Sequence, residues 1–354
     1  MSLVKKDEWW EETRNFKKTV KEEYLDINET LAELENNSSV IRLELNTIEL
    51  PLFSKDPKRI KNQIKIYHFK TDKSSYLEIE APANYSIPGE FEERVFIALT
   101  KIMKNNNYSR RFVVSASEIL ETLGLTNFFY YKKIKDALTL LSKTNYTFLN
   151  SLYSNKESGI IEKKIMSNIM NITIISKKDS RAKEIEAFED GRIKEVYEIN
   201  FTDYFYENII RKGYLAFDSG KLLAIENSVS RAIYTIVEKW RGYDLYIKRQ
   251  AFFIARRIPL KWDKTQIKRT IDTMEKALIE LRNLNLIKDY KIIKEKKWEL
   301  AEIEITYEES HNKTKRDTFF TEKNEFNSMD MLVTSTEEKI KCISEDFQSG
   351  EISE

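Results

Sequence analysis

Between Asp263 and Ile287 the apolar residues Ile267, Ile271, Met274, Leu278 and Leu281 are separated by four, three, four and three positions. Only an α-helix turns such a spacing into one continuous stripe, so the segment must lay one face on a core. Asp263 with Gln266 three positions on is a weak capping-box signal for its start. The opposite face of the first two turns carries Lys264, Thr265, Lys268 and Arg269, hydrogen-bond donors of the kind that meet phosphates and base edges. Taken alone, such a face is equally that of a core helix with a solvated charged side. The neighbouring segments narrow the choice. The stretch from Leu286 to Tyr307 is two alternating runs around a charged turn, the pattern of a β-hairpin. Before the helix, Ser228–Trp240 and Tyr246–Leu260 read as two further helices.

A comparable order of elements lies upstream. Alternating runs at Ile64–Phe69 and Tyr76–Glu80 read as strands, Pro88-Gly89 as a turn, and Glu90 opens a helix with Phe91, Val95, Leu99, Ile102 and Met103 inward. Arg111–Val114 is a short strand, and Ser115 to Glu118 form a capping box opening a helix that ends at Gly124. A third helix runs from about Asn127 to Ser142, with Tyr131, Ile134, Leu138 and Leu141 inward and Tyr130, Lys132, Lys133 and Lys135 outward. Tyr146–Tyr153 and Ile160–Ile175 read as strands of a wing-like hairpin around SNKESG, and Lys177–Lys194 as a charged loop or hairpin tip. The two copies share order but no visible sequence similarity. A helix from Asp203 and an extended piece around Leu215–Phe217 join them.

The expected fold is therefore α+β, with two tandem winged helix-turn-helix domains. The expected divisions are an amphipathic N-terminal helix over 1–40, the first winged-helix domain over 41–200, the second over 201–308, and a mobile acidic tail over 309–354. In the N-terminal helix, Trp9, Phe16, Val20, Ile27, Leu31 and Leu34 share one side, and Thr13, Val20, Ile27 and Leu34 stand seven apart. Docking on the chain's own core and pairing with a second subunit both fit that pattern.

Overall charge is nearly balanced at +1, but its distribution is not. Residues 90–178 hold 14 Lys/Arg against 8 Asp/Glu, and residues 201–300 hold 21 against 13. The ends are acidic, with 7 against 11 over residues 1–47 and 6 against 11 over 309–354. Two basic blocks between acidic ends suggest a nucleic-acid footprint. A hydrophobic content of 41% in 354 residues allows more than one core. No run of about 18 apolar residues exists for a membrane span, and the acidic turn after MSLVKK does not fit a secretory signal. The lone Cys342, which leaves no intrachain disulfide, fits a reducing cytoplasm.

The catalytic inventory is sparse. His68 and His311 are the only histidines, and no His-x-His pair exists to build the metal site of a rolling-circle nickase. Phosphate-binding Gly-x4-Gly-Lys-Ser/Thr, dinucleotide-binding Gly-x-Gly-x-x-Gly and the Gly-x-Ser-x-Gly elbow are all missing from the sequence. The expectation is a binding protein without enzymatic activity, cofactor or metal.

IELPLFSKDPKR at Ile48–Arg59, followed by a strand and PGEFEERVFIALTKI, resembles the opening of plasmid replication initiator protein A and related initiators. RRFVVSASEILETLGL with YYKKIKDALTLLSKTNY is similar to that family's first helix-turn-helix. Gly213, Tyr214, Leu215, Ser230, Arg231, Ala232 and Tyr234 stand where the family enters its second domain, and the likeness covers roughly residues 45–308. The resemblance implies two winged helices binding repeated sites in double-stranded DNA at a plasmid origin, recruitment of host replication proteins such as the helicase or its loader, and repression of the protein's own promoter. A homodimer is the form that pairing through the N-terminal helix would give. The long N-terminal helix and the acidic tail depart from the usual family pattern and inherit no role from it.

On this reading the first domain's DNA-facing residues are Ser115, Ser117, Tyr130, Lys132, Lys133 and Lys135, with Arg110 and Arg111 on phosphate. In the second, Lys264, Thr265, Gln266, Lys268 and Arg269 form the recognition face, and Gln266 and Arg269 can each bond a base in bidentate fashion. Arg249, Arg256 and Arg257 would hold backbone phosphates, and Lys294, Lys296 and Lys297 form the wing tip. Arg231 reads as structural, near the domain junction. Two rival classes are a tandem winged-helix transcriptional regulator with no part in replication and a winged-helix scaffold that binds proteins.

Overall fold

A computed structural model describes residues 39–69, 73–127, 129–189, 191–262, 265–294 and 296–312. The N-terminal helix and coiled-coil stripe, most of the acidic tail with Cys342, Asp263 and Lys264 lie outside the described residues. The chain folds as a mixed α+β structure. It opens with β1 (Val40–Glu44), which runs into the short helix α1 (Leu45–Glu49). Then come β2 (Ile64–His68), β3 (Tyr76–Glu80) and the long helix α2 (Glu90–Asn105). Next are β4 (Arg111–Val114), α3 (Ala116–Thr122) and α4 (Tyr130–Lys143). Strands β5 (Asn145–Leu149), β6 (Tyr153–Ser154), β7 (Gly159–Ile160), β8 (Lys164–Ser167), β9 (Met170–Ser176) and β10 (Glu195–Phe201) complete the first half. Helix α5 (Asp203–Ile210), β11 (Tyr214–Asp218) and α6 (Ser219–Ala224) lead into the second. That half holds α7 (Ser228–Arg241), β12 (Tyr246–Gln250), α8 (Ala251–Arg257), α9 (Ile267–Asn283), β13 (Asp289–Ile293) and β14 (Glu302–Thr306).

Local chemistry sets the helix ends. At the start of α2 the Glu92 carboxylate accepts the Gly89 N–H at 2.7 Å, and Glu90, Glu92 and Glu93 in the first turn suit the positive end of the helix dipole. Ser115 caps α3 by accepting the Glu118 N–H at 3.1 Å. Gly124 closes the same helix at φ +67°, a left-handed conformation that glycine adopts without a Cβ penalty, while Leu125 N–H reaches back to the Leu120 carbonyl.

One arrangement occurs twice. A long helix (α2, α7) is followed by a strand (β4, β12), a seven-residue helix (α3, α8), a longer helix (α4, α9) and two strands (β9–β10, β13–β14). Both sets of strands form antiparallel three-stranded sheets in which the last strand lies in the middle, ordered β4-β10-β9 and β12-β14-β13. Between α4 and β9 the first half inserts β5 to β8. β5 and β8 join β2 and β3 in a four-stranded sheet ordered β2-β3-β5-β8, while β6 and β7 pair separately.

Four sequence expectations change here. The hairpin of the first half is β9–β10 around residues 177–194, not Tyr146–Tyr153 with Ile160–Ile175; β5 pairs instead with β3 and β8, and SNKESG only joins the two-residue strands β6 and β7. Tyr246–Gln250 is a strand rather than part of a helix, because its whole length pairs with Glu302–Thr306. Helix α9 begins at Ile267, with Gln266 at its cap position making no side-chain cap bond. The folded chain also runs past residue 308: Asn312 is buried and accepts Arg241 Nη1 at 2.7 Å.

Most buried apolar side chains from Ile41 to Tyr307 form one contiguous core, and Ile175, Ala182, Phe188 and Val196 form a second, smaller one. On the strap β1–α1 Glu44 and Glu49 are buried, on α2 Glu93 is partly buried, and each of the three bonds at least one group far away in sequence. Glu49 pairs with Arg257 at 3.1 Å and with Lys239. Glu93 pairs with Lys55 at 2.7 Å and with Arg231 at 2.8 Å. Glu44 accepts the side-chain amides of Asn46 and Asn208, each at 2.6 Å, and the Thr47 N–H at 3.0 Å. Gly213 leaves room for this cluster, since a Cβ there would lie 2.7 Å from the Asn208 side chain. Leaving Glu49 or Glu93 unpaired would cost several kcal/mol, so their ion pairs tie the strap and α2 to the second half.

Candidate nucleic-acid interface

Helices α4 and α9 occupy the same place in their units, and four of their buried positions coincide, although exposed Lys133 falls opposite buried Thr270 and buried Leu138 opposite exposed Glu275. Counted from the first residue of each helix, Ile134 aligns with Ile271, Ala137 with Met274, Leu140 with Ala277 and Leu141 with Leu278, all buried. The first residues turn inward too: Ile267 is buried, and Tyr130 is half-buried with its ring stacked on Phe91 at 6.0 Å between centroids. The second and third positions, Tyr131 and Lys132 in α4 and Lys268 and Arg269 in α9, are exposed. Tyr130 and Tyr131 thus exchange the roles expected from sequence, because Phe91 of α2 sits where it can pack on position 130 but not on 131.

The cations divide into tied and untied. Arg110 donates from Nε to the Phe201 carbonyl at 2.8 Å and pairs with Asp203 at 2.5 Å. Arg111 pairs with Glu198 at 2.6 Å, and that hydrogen bond raises its pKa. Lys135 pairs with Glu195 at 2.9 Å. Burial works against the charge of Glu195, but hydrogen bonds from Tyr197 and Lys135 and the lysine's field prevail and hold its carboxyl below the usual range. Arg257 is a correction to the sequence reading: its side chain is buried against Glu49, not presented to a phosphate, and burial pulls its pKa down to about 10. Ser115 is another, since its hydroxyl is buried as the cap of α3 and lies 2.8 Å from that of Ser117.

Other candidates face solvent. Arg256 lies over the Phe252 ring at 5.8 Å, Lys133 over Tyr130 at 5.1 Å, and Lys294 over Trp298 at 4.6 Å. Arg249 is half-buried and donates to the Lys248 carbonyl at 2.8 Å. Among the described residues Lys132, Lys268, Arg269, Lys296 and Lys297 enter no ion pair and stand exposed. Thr265 and Gln266 precede α9 in a turn, Thr265 exposed and Gln266 half-buried. Sequence reading missed Phe129, which is 68% exposed just before α4. It also missed the pairing of β9 with β10, although the apolar residues Val196, Ile199 and Phe201 of β10 carried a strand signal.

The family model described as "Replication initiator protein A" matches residues 42–247, from β1 into β12. The chain belongs to that initiator family. Initiators are also among the solved structures that it resembles. Domains 2 and 3 of RctB, as the selenomethionine derivative, give a TM-score of 0.51 at 14% identity, covering 74% of this chain and 98% of that one. The Pi initiator protein in complex with iteron DNA gives 0.45 at 14% identity, covering 77% and 99%. No curated protein matches the sequence significantly. The RctB likeness is one of fold. Among the described residues no helix is long and apolar enough to cross a membrane, and no group of three or more His, Cys, Asp or Glu could hold a metal.

Proposed function

We propose that this member of the initiator family works as two winged helix-turn-helix modules that bind repeated sites in double-stranded DNA at a plasmid origin. One observation carries the reading. The same strand, helix, helix and hairpin arrangement occurs twice, and in each copy the helix after the turn buries one face and exposes cations at its start. In helix-turn-helix proteins that helix enters the major groove with its N-terminal residues against base edges, and hairpin lysines hold phosphates. Lys132 and Lys133, together with Ser117 of the preceding helix, then serve the first module. Thr265, Gln266, Lys268 and Arg269 serve the second, with Arg249, Arg256 and the hairpin residues Lys294, Lys296 and Lys297 on the backbone. Recruitment of host replication proteins, repression of its own gene and a place in the bacterial cytoplasm belong to the same proposal.

Footprinting the purified chain on DNA flanking its gene, with a salt titration, tests the proposal. Protection of spaced repeats, with affinity falling steeply as salt rises, is the expected result. An absence of protection at low salt sinks the DNA-binding reading. Failure of the protected DNA to support plasmid maintenance in transformed cells would leave a regulator without a replication role.

A further inference from the structure

Helix α2 carries cations that the fold leaves without an acceptor. Arg94 is half-buried, and its Nε is shut off from water with no hydrogen-bond partner. Glu90 stands one turn before it, the favourable order for an ion pair along a helix, yet Arg94 enters no ion pair among the described residues. Lys101 lies seven positions further on, two turns along the same edge of α2, and it too is half-buried and enters no ion pair among the described residues. Beyond it, burial first and then the field of Lys101 pull the pKa of Lys104 down. Withdrawing a guanidinium from water without giving it an acceptor costs stability, and a bound anion would return it. The position of the edge narrows the choice of anion. Phe91, one turn before Arg94, stacks its ring on Tyr130, the first residue of α4, at 6.0 Å, and Lys133 lies over the same Tyr130 at 5.1 Å. The cationic edge thus begins beside the helix that the reading above puts into the groove, and Arg94 and Lys101 are about 10 Å apart along the axis of α2. One small anion would meet only one of the two. A duplex backbone offers phosphates in a row, and the guanidinium fork fits a phosphate in bidentate fashion.

Resting on the DNA-binding reading above, we propose that α2 of the first module lies along the DNA backbone, with Arg94 and Lys101 each holding a phosphate beside the groove that α4 enters. These two contacts carry no sequence information; they fix the register of α4 on the duplex.

The test uses the full chain, the DNA fragment protected in the footprint and a scrambled duplex of the same length, with binding read by fluorescence anisotropy across a salt series. Arg94→Met removes the charge and the orphaned Nε while keeping a long side chain. It should bind both duplexes about fivefold more weakly and reduce the slope of log affinity against log salt by about one. Adding Lys101→Met should bring the reduction to about two, whereas Arg94→Lys, which keeps the charge, should keep the wild-type slope. Arg94→Met should melt no lower than wild type, because it breaks no bond of the fold. Lys101→Met alone, with an expected reduction of about one, reads the same edge if the arginine variants fail to fold. Unchanged affinity and slope in folded single variants overturn the proposal and pass the edge to an acidic protein partner. A lower melting temperature with an unchanged slope also overturns it and leaves Arg94 as a packing residue. A loss confined to the footprinted fragment overturns the phosphate assignment in favour of a base contact. Absence of any footprint by the wild-type chain would instead be a failure of the DNA-binding reading itself, and this inference would fall with it.

Discussion

Arg231 Nη1 lies 2.8 Å from Glu93 Oε2, joining α7 to α2 across 138 positions of sequence. The guanidinium also donates to the Leu222 and Ile225 carbonyls, and Lys55 takes the other Glu93 oxygen. Burial works against the charge on Glu93, but the fields of Lys55 and Arg231 and their hydrogen bonds outweigh it and hold the carboxyl below its usual range. A structural role for Arg231, expected from sequence, matches its burial at the contact between the two halves.

Replacing Arg231 by methionine leaves Glu93 buried with one partner instead of two. Urea unfolding should show a loss of about 3–5 kcal/mol, the scale for breaking a buried pair. Adding Glu93→Gln should deepen that loss, because it leaves Lys55 without the carboxylate it pairs with. A single variant as stable as wild type would mean that the pair does not bind the halves together.

Glu44 makes the opposite contribution with pH. Burial, partly offset by hydrogen bonds from Asn208, Asn46 and Thr47, raises its pKa from 4.5 to about 7. The folded chain therefore holds a proton that the unfolded chain has released, so this group's stabilisation is complete below about pH 4.5 and is lost as pH rises through 7. The loss is at most about 3 kcal/mol. For Glu93, with its depressed pKa, stabilisation is present above the unfolded value and lost as pH falls through the folded one. Unfolding free energies at several pH values should thus decline between pH 5 and 8 in the wild type, and Glu44→Gln should flatten that decline.

The double change Lys268→Ala/Arg269→Ala should weaken specific binding by about 2–5 kcal/mol, the scale of one to two base contacts, with unchanged thermal stability because both side chains are exposed. Anisotropy on the footprinted site and on a scrambled duplex separates this from a general loss. Normal binding to the site would remove α9 from the recognition role.

Alanine at Lys294, Lys296 and Lys297 should instead lower affinity for all sequences alike and reduce the slope of log affinity against log salt by about one per lysine. A change confined to the specific site would assign these lysines to base readout.

Within the first module, Lys132→Ala should cost more affinity than Lys135→Ala. Lys135 is already paired with Glu195 at 2.9 Å and must break that contact to reach a phosphate, while Lys132 enters no ion pair among the described residues. Equal losses would show that the Glu195 pair does not hold the lysine back.

Short-range features were legible in the chain before it folded. The spacing of Ile267, Ile271, Met274, Leu278 and Leu281 defined α9 and its inward face, and all five are buried. Ser115 and Gly124 marked the two ends of α3 because capping and left-handed backbone act within a few residues. The choice of partners belongs to the tertiary structure. Alternation identified β5 as a strand, but a strand's hydrogen bonds are satisfied equally by any aligned neighbour, and packing chose β3 and β8 over the adjacent hairpin. The stripe of α4 accommodates a tyrosine at either 130 or 131, and Phe91 on α2 turned the first inward and left the second in solvent. Lysines and arginines look alike in a sequence. Glu49 and Glu93 drew Arg257 and Arg231 into the fold, while Lys132, Lys268 and Arg269 at the starts of α4 and α9 stand exposed and enter no ion pair among the described residues.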